Sequence, residues 1–263
     1  MPFPALPVRK KIGILILAYN AASTLIHLLE KFPPDIINLV DEIFVFDDAS
    51  SDETFALIQA YKKRTKFEKL NVFKNARNLG YGGNQKVGFT YALAHGFDYV
   101  VLMHGDGQHD PRVLPSLLDP ILKGRVEVVF GSRMLKPLAA LRGGMPLYKF
   151  VGNKVLTMYE NFMVGTRMSE YHSGYRIYSC RVLAQVPFQF NTDDFYFDSQ
   201  MIIQLHQLGI PILEVPVPTI YANEICRVNG IKYCFHIIHL VLAYRLHRAG
   251  VIHLRQYEIP PPV

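Results

Sequence analysis

The fold is decided by the stretch YVVLMHGDGQHDP, which runs from Tyr99 to Pro111. Its first five residues form an unbroken apolar run, which is typical of a strand buried on both faces of a parallel sheet. The loop that follows places Asp106 and Gln108 two residues apart, between glycines. A turn requires the glycines but does not require this polar pair. The loop is therefore a candidate ligand site at the end of a strand.

Four other short apolar runs predict strands, at residues 12–18, 42–46, 70–73 and 126–130. Helical patterns at residues 23–31, 50–66 and 84–95 lie between strands, and Ser50 with Glu53 predicts a capping box for the second helix. Strands separated by helices predict an α/β fold with a mainly parallel central sheet flanked by helices. In such sheets, ligands bind beyond the C-terminal ends of the strands.

The second half of the chain is less regular. Helices are predicted at residues 147–164, 197–208 and 231–248, and strands at residues 174–179 and 212–215. We expect residues 1–229 to form the main domain and residues 230–263 to add an apolar helix and a tail. This last helix is a candidate for contact with a membrane surface, and packing on the domain or on a second subunit is the alternative.

The 263-residue chain is 50% hydrophobic and carries a formal net charge of +6. Its basic clusters suit anionic ligands or a solvated surface, but without a recognition motif nucleic-acid binding is not expected. Three cysteines without a CxxC motif predict a reducing compartment. The N-terminus lacks the apolar core of a signal peptide, and no apolar run reaches the roughly 20 residues of a membrane span. We therefore expect a cytoplasmic protein or one that is peripheral on a membrane.

Polar side chains follow three of the predicted strands: Tyr19 the first, Asp47 and Asp48 the second, Asp106 and Gln108 the fourth. Since neighbouring parallel strands end at one edge of a sheet, we expect these loops to converge. Asp106 and Gln108 offer one charged and one neutral oxygen, which suits a hard divalent cation that also binds a diphosphate. A carboxylate at Asp47 or Asp48 can accept a hydrogen bond from a nucleobase, on which Tyr19 could stack. Taken singly, each residue also has a purely structural interpretation, as a turn, helix-terminus or sheet-edge residue.

The glycine-rich segment Gly80–Gly83 precedes a predicted helix, and Gly82 is a candidate contact for a phosphate or a ribose. The segment is not a GxGxxG motif and follows the third strand, which argues against a dinucleotide-binding Rossmann domain. The GxxxxGK[ST] motif of P-loop enzymes is also missing from the sequence.

The motifs AYN, DDASSDET, NxGYGGNQ, HGDGQHDP, GSR, SGYR and FDSQ, in this order, resemble those of family-2 glycosyltransferases of the GT-A fold. The similarity is greatest to the dolichyl-phosphate mannose synthase-like, or polyprenyl-phosphate glycosyltransferase, branch. The resemblance implies that Tyr19, Asp47 and Asp48 hold the nucleoside of a UDP- or GDP-sugar. It also implies that Asp106 and Gln108 bind the divalent metal, Mg²⁺ or Mn²⁺, through which the diphosphate is held.

Four further residues take candidate roles from this resemblance. His104 stands where the family usually has an acidic residue, and is either a metal ligand or a hydrogen-bonding neighbour of the metal. Arg133 and Arg176 match basic positions near the donor or acceptor phosphate, and a surface ion pair is the alternative for each. Asp198 lies near the acidic helix start at which a carboxylate can serve as general base.

The resemblance implies an inverting hexosyltransferase that moves a sugar from a nucleotide sugar to polyprenyl phosphate, whose anionic oxygen needs no base. A saccharide acceptor, activated by Asp198, is the alternative within the same class. A nucleotidyltransferase is a rival from another class, but the loop AYNAAS after the first strand lacks the glycines and basic residues that such an enzyme needs. A non-catalytic nucleotide-sugar binder is a third interpretation, in which His104 marks lost metal chemistry.

Overall fold

The structure is a computed structural model that describes residues 9–219 and 229–259. In this part of the chain, seven strands form one sheet with the order β3-β2-β1-β4-β6-β5-β7. The strands are β1 (Ile12–Ala18), β2 (Glu42–Asp47), β3 (Leu70–Lys74), β4 (Tyr99–His104), β5 (Val128–Ser132), β6 (Arg176–Ser179) and β7 (Ile212–Pro216).

Helices cover the sheet on both faces. Within the described ranges they are α1 (Leu25–Glu30), α2 (Pro34–Leu39), α3 (Thr54–Thr65), α4 (Gly80–Ala94), α5 (Leu114–Leu122), α6 (Pro137–Arg142), α7 (Leu147–Val164), α8 (Cys180–Leu183), α9 (Phe197–Gln207) and α10 (Gly230–Arg248).

The sheet is mainly parallel, as predicted. The central strand β1 pairs in parallel with β2 and β4, β2 pairs in parallel with β3, and β5 pairs in parallel with β7. Among the seven strands only β6 is antiparallel to its neighbours, β4 and β5. Its direction depends on the long path of the chain between β5 and β6, which a local sequence pattern does not encode.

The apolar runs are buried on both faces because helices lie on each side of the sheet. Every residue of β1 is buried. Its odd and even positions belong to different core clusters: Ile14 and Ile16 pack with α1 and α5, whereas Leu15 and Leu17 pack with α4 and α9. This two-sided burial is the physical reason that the strand reads as a continuous hydrophobic stretch.

The predicted capping box at Ser50 is wrong. Helix α3 begins at Thr54, and the amide of Thr54 donates to the carboxylate of Asp52 at 3.0 Å. The Ser50 hydroxyl instead donates to Asp47 and accepts a 2.8 Å hydrogen bond from the amide of Asn20. Ser50 therefore links the loop after β1 to the end of β2 and does not cap helix α3.

The last helix, α10, packs against α7. Leu156 of α7, Ile203 of α9, and Ile237 and Tyr244 of α10 belong to a third apolar cluster. None of the helices in the described ranges combines the length and the apolar character that a bilayer-spanning helix needs.

Candidate active site

A cleft of about 1750 Å³ opens at the C-terminal edge of the sheet. Its walls come from the loops after β1, β2 and β4, and from the α7, α9 and α10 regions. Among the residues that line it are seven of the ten predicted site residues: Tyr19, Asp48, His104, Asp106, Gln108, Arg133 and Asp198.

Asp48 anchors the glycine-rich segment at the start of α4. Its carboxylate accepts hydrogen bonds from the amides of Leu79 and Gly80, at 2.9 and 3.0 Å, and from the side chain of Asn75 at 2.8 Å. The sequence suggested a nucleobase acceptor here. The structure shows that this carboxylate, which lines the cleft, also fixes the loop beside it.

Asp47 lies beneath the cleft and does not line it. The side chain is fully buried and accepts a hydrogen bond from the Ser50 hydroxyl, while Lys74 Nζ lies 4.0 Å from Oδ2. Burial raises the pKa of the Asp47 carboxyl above its ordinary value. A direct contact between Asp47 and a nucleoside does not fit this placement, and the residue instead holds the β1 and β2 loops together.

Gly82 also departs from its predicted role. Its amide donates a 2.8 Å hydrogen bond to the carbonyl of Asp193, so it is not available to a phosphate. A Cβ atom at this position would lie 2.3 Å from the carbonyl oxygen of Thr192 and 2.9 Å from Phe197. Glycine is required here for close packing of α4 on the segment before α9, and Gly82 lies outside the cleft lining.

The loop of Asp106 and Gln108 is held against β1. The Gly105 amide donates to the carbonyl of Leu17 at 2.8 Å, and the Thr24 hydroxyl donates to the carbonyl of Gly105 at 2.6 Å. Oδ1 of Asp106 accepts the amide hydrogen of Gln108 at 3.0 Å, which is the local turn bond. Asp106 is nevertheless exposed at the cleft, so its carboxylate can contact a ligand as well as support the turn.

The donor set of this loop fits a divalent cation that is shared with a diphosphate. In the described part of the chain, no group of three or more His, Cys, Asp and Glu side chains forms a metal cage. Mg²⁺ and similar hard cations are commonly held by one or two protein oxygens while water and substrate phosphates complete the shell. One exposed carboxylate at Asp106, with the Gln108 amide beside it, is such an arrangement.

His104 is engaged on one side by Tyr81. Its Nε2 lies 2.8 Å from the Tyr81 hydroxyl, and that hydroxyl donates its hydrogen to Oδ2 of Asp198 at 2.8 Å. Because the tyrosine has one hydrogen to give, Nε2 of His104 must be the donor in the other bond. Nε2 is therefore not available to ligate a metal, and the predicted metal role of His104 is left to Nδ1 alone.

Burial sets the protonation states of His104 and Tyr81. Burial lowers the pKa of His104 below its ordinary value, although the charge of Asp106 opposes the change, so the imidazole is neutral at neutral pH. Burial, reinforced by the charge of Asp198, raises the pKa of Tyr81 well above its ordinary value. The Tyr81 hydroxyl thus keeps its hydrogen.

Arg176 is fully buried and does not line the cleft. Its guanidinium donates to the carbonyls of Ser173 and Tyr171, both at 2.8 Å, and lies over the ring of Phe130. It also lies 3.5 Å from Oδ1 of Asp198. The predicted contact between Arg176 and a phosphate is wrong for this geometry, and the residue positions Asp198 from behind.

Arg133 does line the cleft, and its guanidinium is oriented by a buried carboxylate. The side chain forms an ion pair with Glu170, whose Oε2 also accepts the Arg133 amide hydrogen at 2.7 Å. Burial raises the pKa of Glu170, but the Arg133 charge and its hydrogen bonds outweigh burial and leave that pKa below its ordinary value. Glu170 therefore stays ionised and holds Arg133 at the wall of the cleft.

Sequence reasoning missed the residues that support the predicted ones. Tyr81 lies within the glycine-rich segment, but nothing local indicates that its hydroxyl reaches Asp198. Another group joins α7 to α10: Nε2 of His172 lies 3.2 Å from Oε2 of Glu160, and Nδ1 lies 3.0 Å from the Tyr233 hydroxyl. Both His172 and Tyr233 line the cleft. These contacts depend on tertiary packing and have no sequence signal of their own.

Comparison with known proteins shows which sequences the chain is similar to. The profile of the family described as "Glycosyl transferase family 2" matches residues 13–186. A UDP-N-acetylglucosamine–dolichyl-phosphate N-acetylglucosaminyltransferase of Methanococcus voltae is 27% identical over 253 residues, which cover 90% of this chain and 97% of the relative. An undecaprenyl-phosphate mannosyltransferase of Micrococcus luteus is 28% identical over 181 residues, covering 67% and 70%.

Solved structures agree on the fold. Glucosyl-3-phosphoglycerate synthase from Mycobacterium tuberculosis, in complex with Mg²⁺ and uridine diphosphate, superposes with a TM-score of 0.65 at 21% identity. The superposition covers 92% of this chain and 80% of that one. The complex of the same enzyme with Mn²⁺, uridine diphosphate and phosphoglyceric acid gives a TM-score of 0.61 at 20% identity. The predicted GT-A fold is thereby confirmed.

Proposed function

The chain belongs to glycosyl transferase family 2, as its motifs predict, and we propose that it transfers a sugar from a nucleoside diphosphate sugar to a polyprenyl phosphate. The observation that carries the proposal is the convergence of Tyr19, Asp48 and Asp106 in one cleft. The named relatives act on dolichyl and undecaprenyl phosphates, and this supports the lipid acceptor.

In the proposed reaction, Tyr19 and the Asp48 loop hold the nucleoside at the rim formed by β1 and β2. Asp106 and Gln108 would hold a divalent metal, Mg²⁺ or Mn²⁺. That metal supplies positive charge to the departing diphosphate when it is bound. Arg133, fixed by Glu170, adds a guanidinium at the wall of the cleft, where it suits a phosphate of the donor or the acceptor.

The acceptor phosphate oxygen attacks the anomeric carbon from the side opposite the diphosphate. The new bond between that carbon and the acceptor oxygen forms as the bond to the diphosphate breaks, so the configuration inverts. The phosphate is already an anion and needs no proton removed. Both oxygens of Asp198 are engaged, by Tyr81, Gln85 and Arg176, and this favours an acceptor that needs no base.

A lipid acceptor would place the protein at a membrane surface, and we propose a peripheral position on the cytoplasmic face. Three cysteines without a CxxC motif fit the reducing compartment that this position implies.

The test is a transfer assay with radiolabelled UDP- and GDP-sugars, with Mg²⁺ or Mn²⁺, and with or without polyprenyl phosphate in detergent. We expect label in the organic phase for one donor, only when metal and lipid phosphate are both present. Metal-dependent donor hydrolysis without lipid labelling would move the acceptor to a saccharide. Donor binding with neither transfer nor hydrolysis would favour the non-catalytic interpretation.

A further inference from the structure

Helix α7 carries a stripe of exposed apolar side chains. Tyr148, Val151, Val155, Met158 and Phe162 recur at intervals of three and four residues, and their exposed fractions run from 49% at Val151 to 83% at Phe162. The buried residues Leu156, Glu160 and Val164 lie on the other side of the helix. The stripe therefore faces away from the core.

Helix α10 carries a second stripe of the same kind. Ile231, Phe235, Ile238, Leu242 and Leu246 also recur at intervals of three and four residues, with exposed fractions from 39% at Ile238 to 74% at Ile231. The buried side of this helix is formed by Ile237, Leu240, Val241 and Tyr244. Ten large apolar side chains thus stand on the outer sides of two helices that pack against each other. We refer to these ten side chains as the helix-pair face.

The helix-pair face reaches the mouth of the cleft. Tyr148 at the start of α7 and Ile231 at the start of α10 belong both to the face and to the cleft lining. Isolated exposed apolar residues are ordinary, but an ordered group of this size on adjacent helices marks a surface that meets an apolar partner. A partner bound there would lie next to the proposed site of sugar transfer.

The charges around the face indicate the chemistry of that partner. The two helices contain one acidic residue, Glu160, and it is buried against Ser199 and His172. The exposed charged residues of α10 are all basic: Lys232, Arg245 and Arg248. A face of apolar residues with basic and no acidic neighbours on its own helices is the pattern of an interfacial helix on an anionic lipid surface.

We infer that the helix-pair face inserts into the headgroup region of an anionic lipid bilayer, in the leaflet that the protein faces. This insertion places the mouth of the cleft at the lipid headgroups. This inference rests on the proposed function, because a polyprenyl phosphate presents its phosphate at that level. A second copy of the chain is the rival occupant. It would bring the basic residues of two α10 helices into one interface, which charge repulsion disfavours.

The experiment measures vesicle binding separately from catalysis. The full chain is mixed with vesicles of phosphatidylglycerol and phosphatidylcholine, or of phosphatidylcholine alone, and bound protein is separated by flotation. The test variant is the double substitution Phe162→Glu and Phe235→Glu. Both side chains are mostly exposed, at 83% and 68%, so the fold should tolerate the change. The matched control is Leu57→Glu with Leu122→Glu, on α3 and α5, which pack in a different core cluster.

We expect the wild type and the control to float with the anionic vesicles and to bind neutral vesicles more weakly. The test variant should lose at least about tenfold in vesicle partitioning, since two aromatic side chains no longer enter the lipid. Transfer to a short, water-soluble prenyl phosphate should survive in the test variant.

Equal vesicle binding by the test variant and the wild type would overturn the inference while leaving the proposed function intact. Light scattering supplies the other decisive outcome. If the wild type is a dimer and the test variant is a monomer, the face is an interface between copies of the chain and the lipid inference is wrong. If the wild-type protein binds the vesicles but transfers no sugar to polyprenyl phosphate, the result would instead count against the proposed function.

Discussion

The hydroxyl of Tyr81 donates a 2.8 Å hydrogen bond to Oδ2 of Asp198, which lies 117 residues further along the chain. The same hydroxyl accepts from Nε2 of His104, so α4, β4 and α9 meet at one atom. This contact fixes the tautomer of His104 and occupies one oxygen of Asp198. The contact therefore limits the roles that His104 and Asp198 can take in the cleft.

Replacement of Tyr81 by phenylalanine tests this contact. The change leaves the Nε2 hydrogen of His104 and one oxygen of Asp198 without their partner, which should cost about 1–3 kcal/mol of unfolding free energy. Transfer activity should also fall, because the two side chains at the cleft lose their positions. Urea denaturation and the transfer assay measure the two effects. Tyr91→Phe is the matched control, since the Tyr91 hydroxyl donates to Glu42 away from the cleft. An equal loss of activity in both variants would contradict the positioning role.

Gly174 leaves the space that the His104 ring occupies. A Cβ atom at this position would lie 2.1 Å from Cε1 of His104, so Gly174→Ala must displace the ring. We expect at least about a tenfold fall in kcat with a folded protein, since displacements near a reacting group are costly. Steady-state kinetics and circular dichroism make the measurement. Gly152→Ala also changes a glycine of the cleft lining, but its added Cβ would meet no side chain and no backbone of another element within 4 Å, so kcat should stay near normal.

The Arg133–Glu170 pair predicts how stability depends on pH. The folded-state pKa of Glu170 is depressed, so its contribution is complete above the unfolded pKa of roughly 4.3 and is lost as pH falls through the folded pKa. At pH 7, Glu170→Gln should cost roughly 3 kcal/mol, because the Arg133 charge loses its buried partner. The difference from the wild type should shrink as the pH is lowered below about 4. Urea unfolding at several pH values checks this, and a difference that grows on acidification would contradict the assignment.

Much of the fold follows from short-range patterns. The continuous apolar runs at β1 and β4 predict strands buried on both faces, and the polar residues that follow β1, β2 and β4 mark the edge at which the cleft forms. These features are local, because a buried parallel strand and the loop after it are encoded by neighbouring residues.

The predictions that the structure overturns concern residues whose placement depends on tertiary contacts. Arg176 has the composition of a phosphate ligand, but Phe130, Tyr171 and Ser173 enclose it, and no local signal indicates this burial. Asp47 and Asp48 are adjacent in sequence, yet one points beneath the cleft and the other lines it. The alternation of side chains at a strand end separates them, and the sequence could have suggested that only one faces a ligand.

The most direct test of the central claim is label transfer into polyprenyl phosphate by the wild type, by Asp106→Ala and by Asp119→Ala. Asp119 is a half-exposed surface carboxylate paired with Lys123 on α5, so it controls for the loss of an acidic side chain. We predict metal-dependent transfer by the wild type and by Asp119→Ala, and a loss of at least about 100-fold in Asp106→Ala. Full metal-dependent transfer by Asp106→Ala would contradict the assignment of the diphosphate and metal site to this loop.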